Sequence, residues 1–144
     1  GVPLWFGGGS EPMLRRLTEI ADGWVGSGGA PAEAFVSGVN RIKEFSIERG
    51  RDPNTLGYGK LINVSVNTSK STAFNLAKEH WGEYYGPNFD VDKSAIYGQP
   101  DNVRAGLRKF GEADAQEVTL ILEPSTLGLA QLELLAKATE NLMA

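Results

Sequence analysis

The sequence predicts an α/β fold with four parallel strands and alternating helices, which is half of a (β/α)8 barrel. Three observations predict it. Four strand-then-helix units follow one another along the chain. The segment Glu117–Leu122 is nearly continuous in apolar residues, as expected of a strand covered on both faces in a parallel sheet. The 144 residues suffice for one domain with a real core, but a whole barrel takes ~250.

The first unit is a strand over Pro3–Gly7 and a helix over Glu11–Ala21, with Met13, Leu14, Leu17, Ile20 and Ala21 on one face. The second has a short strand, Gly23–Val25, a Gly-rich loop from Gly26 to Pro31, and a helix over Ala32–Glu48. Phe35, Val39, Ile42 and Phe45 form its stripe, and Arg49 to Pro53 ends it. The third has the clearest strand, Lys60–Val66, rich in β-branched residues. Thr68 or Ser69 caps the helix that follows, whose stripe is Phe74, Ala77, Trp81 and Tyr84 or Tyr85. An irregular stretch runs from Gly86 to Gln99, and Pro100 opens a short helix with Val103, Leu107 and Phe110 inward. The fourth unit is the strand Glu117–Leu122, a turn over Glu123–Thr126 and a helix over Leu127–Leu142.

Composition narrows the function. The net charge is −4 and the basic residues are scattered, which argues against nucleic acid as a partner. The chain has no cysteine and one histidine, so thiolate chemistry and Cys- or His-rich metal sites are excluded. No apolar run approaches the ~20 residues of a membrane span, and no signal peptide is visible; the expected location is the cytoplasm.

The feature with most chemical content is Val2-Pro3-Leu4-Trp5-Phe6-Gly7-Gly8-Gly9-Ser10, an apolar run that breaks into glycines and a serine just before a helix. Glycines let the backbone approach a ligand and take positive φ. Ser10 is placed to cap the helix. The free N–H groups at the helix start favour an anion, most often a phosphate. The turn is neither a Walker loop nor a dinucleotide fingerprint, since the required Lys and Gly spacings are absent. Ligands of βα folds sit at the C-terminal strand ends, here Gly7–Ser10, Trp24–Gly29, Asn67–Ser69 and Glu123–Thr126. Trp24 lines a flat ring or belongs to the core. Asn67 and Thr68 are placed to hydrogen-bond a ligand, with helix capping the other role for Thr68. Glu123 is a functional carboxylate, or a solvated or helix-start charge. His80 in mid-helix reads as packing, and Asp22 before Gly23 as a turn residue. No Ser–His–acid set or metal-ligand spacing is present.

Taken together, these residues resemble the C-terminal half of the luciferase-like monooxygenase family, flavin-dependent oxidoreductases with relatives that use a deazaflavin. Three stretches carry the resemblance. Val2 to Ser10 with Leu14-Arg15-Arg16 resembles the family's fifth strand and phosphate-binding turn. Ile20-Ala21-Asp22-Gly23-Trp24 resembles its sixth strand. Tyr97-Gly98-Gln99-Pro100-Asp101-Asn102-Val103 resembles the Gly-x-Pro-acid-x-Val segment before the eighth strand, with Gln99 where the family prefers Thr or Ser. The resemblance implies the second half of a (β/α)8 barrel, with FMN or a deazaflavin at the C-terminal strand ends. It puts Gly8, Gly9 and Ser10 on the cofactor phosphate and Trp24 near the cofactor pocket. Family chemistry is hydride transfer to or from the flavin, often followed by oxygen activation.

Nothing in the chain corresponds to strands one to four of that family. The expectation is a single C-terminal half-barrel domain over residues 1–144, a fragment or truncated relative of a full barrel. An isolated half barrel leaves strand faces open at Leu4–Phe6, Ile62–Val66 and Thr119–Ile121, and these would be covered by self-association or by a missing N-terminal half. A non-enzymatic flavin-binding or assembly module is the alternative function. A flavodoxin-like doubly wound sheet is the alternative fold, and it would show five strands and a reversal of strand order.

Overall fold

Every strand of the sheet runs parallel to its neighbours. The computed structural model describes residues 1–124, 128–140 and 142. Its strands are β1 (Trp5–Gly7), β2 (Gly23–Gly26), β3 (Gly57–Val66), β4 (Ala95–Gly98) and β5 (Glu117–Leu122). Its helices are α1 (Glu11–Ile20), α2 (Ala32–Glu48), α3 (Lys70–Tyr85), the single turn α4 (Val91–Ser94), α5 (Pro100–Glu112) and α6 (Leu129–Thr139). All four expected units are present, and α2 and β5 have the expected bounds. Ser125, Thr126 and Leu127, assigned from sequence to the turn and start of the last helix, lie outside the described residues.

The fifth strand, β4, comes from the stretch expected to be irregular. It returns to the β2 edge of β3, a local reversal of strand order, while β1, β2, β3 and β5 keep the chain order of a barrel. The strands β1, β2 and β3 lie side by side in chain order, and β5 follows on β3. Gly59 and Lys60 pair with both β2 and β5, and Asn63 and Val64 pair with both β4 and β5. A strand has two edges, so β2 and β4 share one edge of β3 and β5 takes the other. β5 therefore borders only β3, and its first residues Glu117, Val118 and Thr119 are exposed. Its apolar run suggests burial on both faces; its first half is not covered.

Alternation along the strands separates two faces. Phe6, Trp24, Tyr58, Ile62, Val64, Val66, Ile96, Leu120 and Leu122 pack with residues of α1, α2, α5 and α6. This is the main core, with Leu17, Phe35, Ile42 and Val103 at its centre. On the other, inner face, Ala95, Tyr97 and Ile121 meet Phe74, Ala77 and Trp81 of α3, with Phe89 and Val91 beside them. The apolar stripe of α3 lies where the sequence puts it, but it covers the inner face of the sheet instead of the outer layer. The Gly86-Pro87 turn and the short β4 bring the chain back to the sheet directly after α3. Lower on the same face, the Trp5 ring lies over Gly23 and Gly57, where a Cβ would come within 2.5 Å of it.

The expected exposure of strand faces is corrected accordingly. Ile62, Val64 and Val66 are buried under the outer helices, and the chain's own α3 covers the upper inner face. Leu4, Trp5, Val118 and Thr119 remain open, at the two outer strands. Among the described residues, no helix is long and apolar enough to cross a membrane.

Candidate functional site

The turn between β1 and α1 is built from backbone. Gly8 has φ +102°, a left-handed conformation that glycine takes without strain. Beside Gly9 a Cβ would meet nothing within 4 Å, so the turn is open on that side. Ser10 stands at the N-cap in extended conformation, and its carbonyl accepts the first helical bond, from Leu14 N–H at 2.9 Å. Its hydroxyl makes no capping bond, contrary to the capping role expected of it. Pro12, in the first turn, removes one of the donors that would need a cap. The remaining first-turn N–H groups of α1 have no intrahelical partner, as at any helix start.

Trp24 holds this turn. Its indole N–H donates to the Gly8 carbonyl at 2.7 Å. The ring is 3% exposed and stacks on Phe35 at 5.4 Å between centroids. It is seated against Gly38 of α2, where a Cβ would fall 2.5 Å from the ring. Trp24 is thus both core residue and positioning residue for Gly8.

A cavity of about 400 Å³ opens beside the turn, on the outer-helix side of the sheet. Gly8, Gly9, Trp24, Ser27, Arg41 and Lys60 are among its walls. The Arg41 guanidinium is engaged by Glu11 at 2.6 Å, and Arg15 binds the same carboxylate at 3.0 Å. The Arg15 hydrogen bond, with the Arg41 charge, holds the Glu11 carboxyl below its ordinary range. The Lys60 amine donates to the carbonyls of Ser27 and of Ala30, the latter at 3.1 Å. Burial pushes its pKa down to about 8. Lys60 was not among the residues singled out from sequence. The signal was there: it stands in register with Ile62, Val64 and Val66, on the face that β-branched residues mark as buried.

The other sequence candidates are dispersed. Asn67 accepts from the Ser69 amide at 3.1 Å, and Ser69, not Thr68, caps α3 by accepting from Thr72 N–H. Asp22 accepts from the Leu4 amide at 2.7 Å and pins the start of β1. His80 packs edge-on against Trp81 at 4.4 Å. Gln99 donates from its side-chain amide to the Thr68 carbonyl at 2.7 Å, tying the start of α5 to the end of β3. Glu123 is 2% exposed, accepts from Gln131 at 2.7 Å and from Ser65 at 3.3 Å, and burial raises its pKa. Among the described residues, no group of three or more His, Cys, Asp or Glu is placed to hold a metal.

Comparison with known proteins bears on the family and the fold. The family model described as luciferase-like monooxygenase matches residues 1–119. No curated protein matches the chain. Among solved structures, the coenzyme F420 dependent tetrahydromethanopterin reductase from Methanopyrus kandleri aligns with TM-score 0.67 at 19% identity, over 85% of this chain and 45% of that one. An F420-dependent secondary alcohol dehydrogenase aligns with TM-score 0.75 at 16% identity, over 96% of this chain and 49% of that one. A long-chain alkane monooxygenase aligns with TM-score 0.67 at 17% identity, over 94% of this chain and 40% of that one. The chain therefore spans half or less of the length of each of these three structures.

Proposed function

The chain belongs to the luciferase-like monooxygenase family, and we propose that it is the cofactor-binding half of a flavin-dependent oxidoreductase of that family, taking FMN or a deazaflavin. The observation that carries this reading is the Gly8 turn, left-handed, held by the Trp24 indole and open to a cavity at the start of α1. The residues present fit a phosphate. Two glycines leave the backbone accessible, and Ser10 has a hydroxyl not spent on capping. Gly8, Gly9 and Ser10 would hold the cofactor phosphate, and Trp24 would keep the turn in shape. A bound flavin or deazaflavin supplies hydride transfer.

This chain alone supplies binding and not turnover. It spans half or less of the length of the solved structures it aligns with. The open outer strands, with Leu4, Trp5 and Val118 exposed, support association with a second copy or with an N-terminal half.

A second reading, a flavin-binding or assembly module without catalysis, is favoured by one observation. Helix α3 already packs on the inner face of the sheet. Titration with FMN or a reduced deazaflavin, followed by a turnover assay on the same sample, separates the two. Binding without turnover by the single chain, and turnover once a complementary half is added, is the expected result. Binding without turnover under both conditions favours the module, and no binding removes both readings.

A further inference from the structure

The edge of β3 shared by β2 and β4 is interrupted. Pairing with β2 ends at Lys60 and pairing with β4 begins at Asn63, so Leu61 and Ile62 have no strand partner on that edge. A cleft of about 420 Å³ opens at this gap, between the Gly28–Glu33 loop, β4 and α5. It is separate from the Gly8 turn, although Lys60 borders both.

The charge of the cleft is opposite to that of the molecule. Lys60, Lys70, Lys93 and Lys109 line it against only Glu33 and Asp92, in a chain whose net charge is −4. Asp92 is already engaged, accepting from the Tyr97 hydroxyl. Lys93 pairs with Asp90 at 3.5 Å. Among the described residues, Lys60, Lys70 and Lys109 have no carboxylate within 4 Å. Lys60 is the decisive member. It is 2% exposed, and only backbone carbonyls and the Phe110 ring, 5.8 Å from its amine, face its charge. A buried cation without an anion is costly, and a bound anion would offset that cost.

We propose that this cleft is a second binding site, for a small multivalent oxyanion such as an organic phosphate or a polycarboxylate. Lys70 and Lys109 at the rim draw the anion in, and Lys60 faces it from the floor. The apolar walls, Ile96 and Phe110, exclude water from the cation and strengthen the contact.

The test is calorimetric titration of the intact chain with pyrophosphate and, separately, with citrate at low ionic strength. A saturable site that depends on the cleft lysines is expected for at least one of them, beside any binding at the Gly8 turn, and the better ligand tells phosphate from carboxylate. The Lys70→Ala/Lys109→Ala double variant changes only exposed side chains and is expected to weaken binding at least tenfold. Lys78→Ala/Lys137→Ala, which removes as much charge outside the cleft, and Ser10→Ala, at the Gly8 turn, are each expected to change it less than twofold. No saturable binding of either anion overturns the proposal. So does equal weakening by the two lysine pairs, which would mean general attraction only. A loss of that lysine-dependent binding caused by Ser10→Ala also overturns it, since the anion would then sit at the first turn.

Discussion

The indole of Trp24, in β2, and the carbonyl of Gly8, just past the end of β1, are joined by a 2.7 Å hydrogen bond. This bond couples a buried core residue to an exposed turn, so the shape of the turn depends on how well the ring is seated. Trp24→Phe removes the donor and part of the packing and is expected to cost about 1–3 kcal/mol of stability. Gly38→Ala keeps the donor but forces a Cβ against the ring, with a similar cost of about 1–3 kcal/mol. Both are expected to weaken flavin binding, measured by fluorescence titration beside urea unfolding. Full flavin affinity in both variants would separate the turn from its support.

Lys60 makes stability rise with pH in the alkaline range. Its folded pKa is about 8, below the ~10.4 of an unfolded lysine. Between these values the unfolded chain binds more protons, so raising the pH favours the folded state. At about 1.4 kcal/mol per pK unit, the gain between pH 8 and 10.4 is of order 1–3 kcal/mol. Urea midpoints at pH 7.5 and pH 10 are expected to differ for the wild type and to lose that difference in Lys60→Met. Parallel profiles would show that the amine is not desolvated.

Glu123 acts in the opposite direction. Burial raises its carboxyl above the ordinary range, although Ser65 and Gln131 partly counter it. The folded state then holds the proton longer than the unfolded one, and stability falls as pH rises through the folded pKa. Glu123→Gln keeps an oxygen for the Gln131 amide without the charge. It is expected to gain up to about 1 kcal/mol at neutral pH and to flatten that slope in thermal melts. A loss of stability at pH 7 would instead mean that the charged form is the favoured one.

The open outer strands predict association. Leu4, Trp5 and Val118 are 53%, 38% and 41% exposed, and each large apolar side chain left in water forgoes up to about 1.5–3 kcal/mol. Sedimentation at micromolar concentration is expected to show a dimer or larger, and Leu4→Lys with Val118→Lys to shift it toward monomer. A wild-type monomer would mean that these open positions on the outer strands are tolerated in water.

How far the fold was legible depended on which physical signal each segment carried. Strand and helix identities followed from local periodicity, and Ala32–Glu48 and Glu117–Leu122 have the expected bounds. The face to which a helix packs is not local. Phe74, Ala77 and Trp81 announce a buried stripe in α3, but only Ala95, Tyr97 and Ile121, distant in the chain, decide that it meets the inner face. β4 carries no such signal, because four residues ending in Gly98 are too few for a period. At the site, the glycine turn was legible because glycine reports on backbone shape. The Trp24–Gly8 bond was not, since a buried Trp has the same sequence signature whatever its indole bonds. Ser10 was legible in position but not in role, because Pro12 already lowers the need for a cap.

Comparing FMN with riboflavin, which lacks the phosphate, tests most directly whether the Gly8–Ser10 turn holds the phosphate of a flavin. FMN is expected to bind at least tenfold more tightly. Ser10→Ala is expected to weaken FMN by about 0.5–1.5 kcal/mol, the worth of one hydrogen bond, and to leave riboflavin unchanged. Because the Ser10 hydroxyl makes no capping bond, the same variant is expected to change unfolding stability by less than about 0.5 kcal/mol. Equal affinity for FMN and riboflavin, or FMN binding indifferent to Ser10→Ala, would contradict that role of the turn.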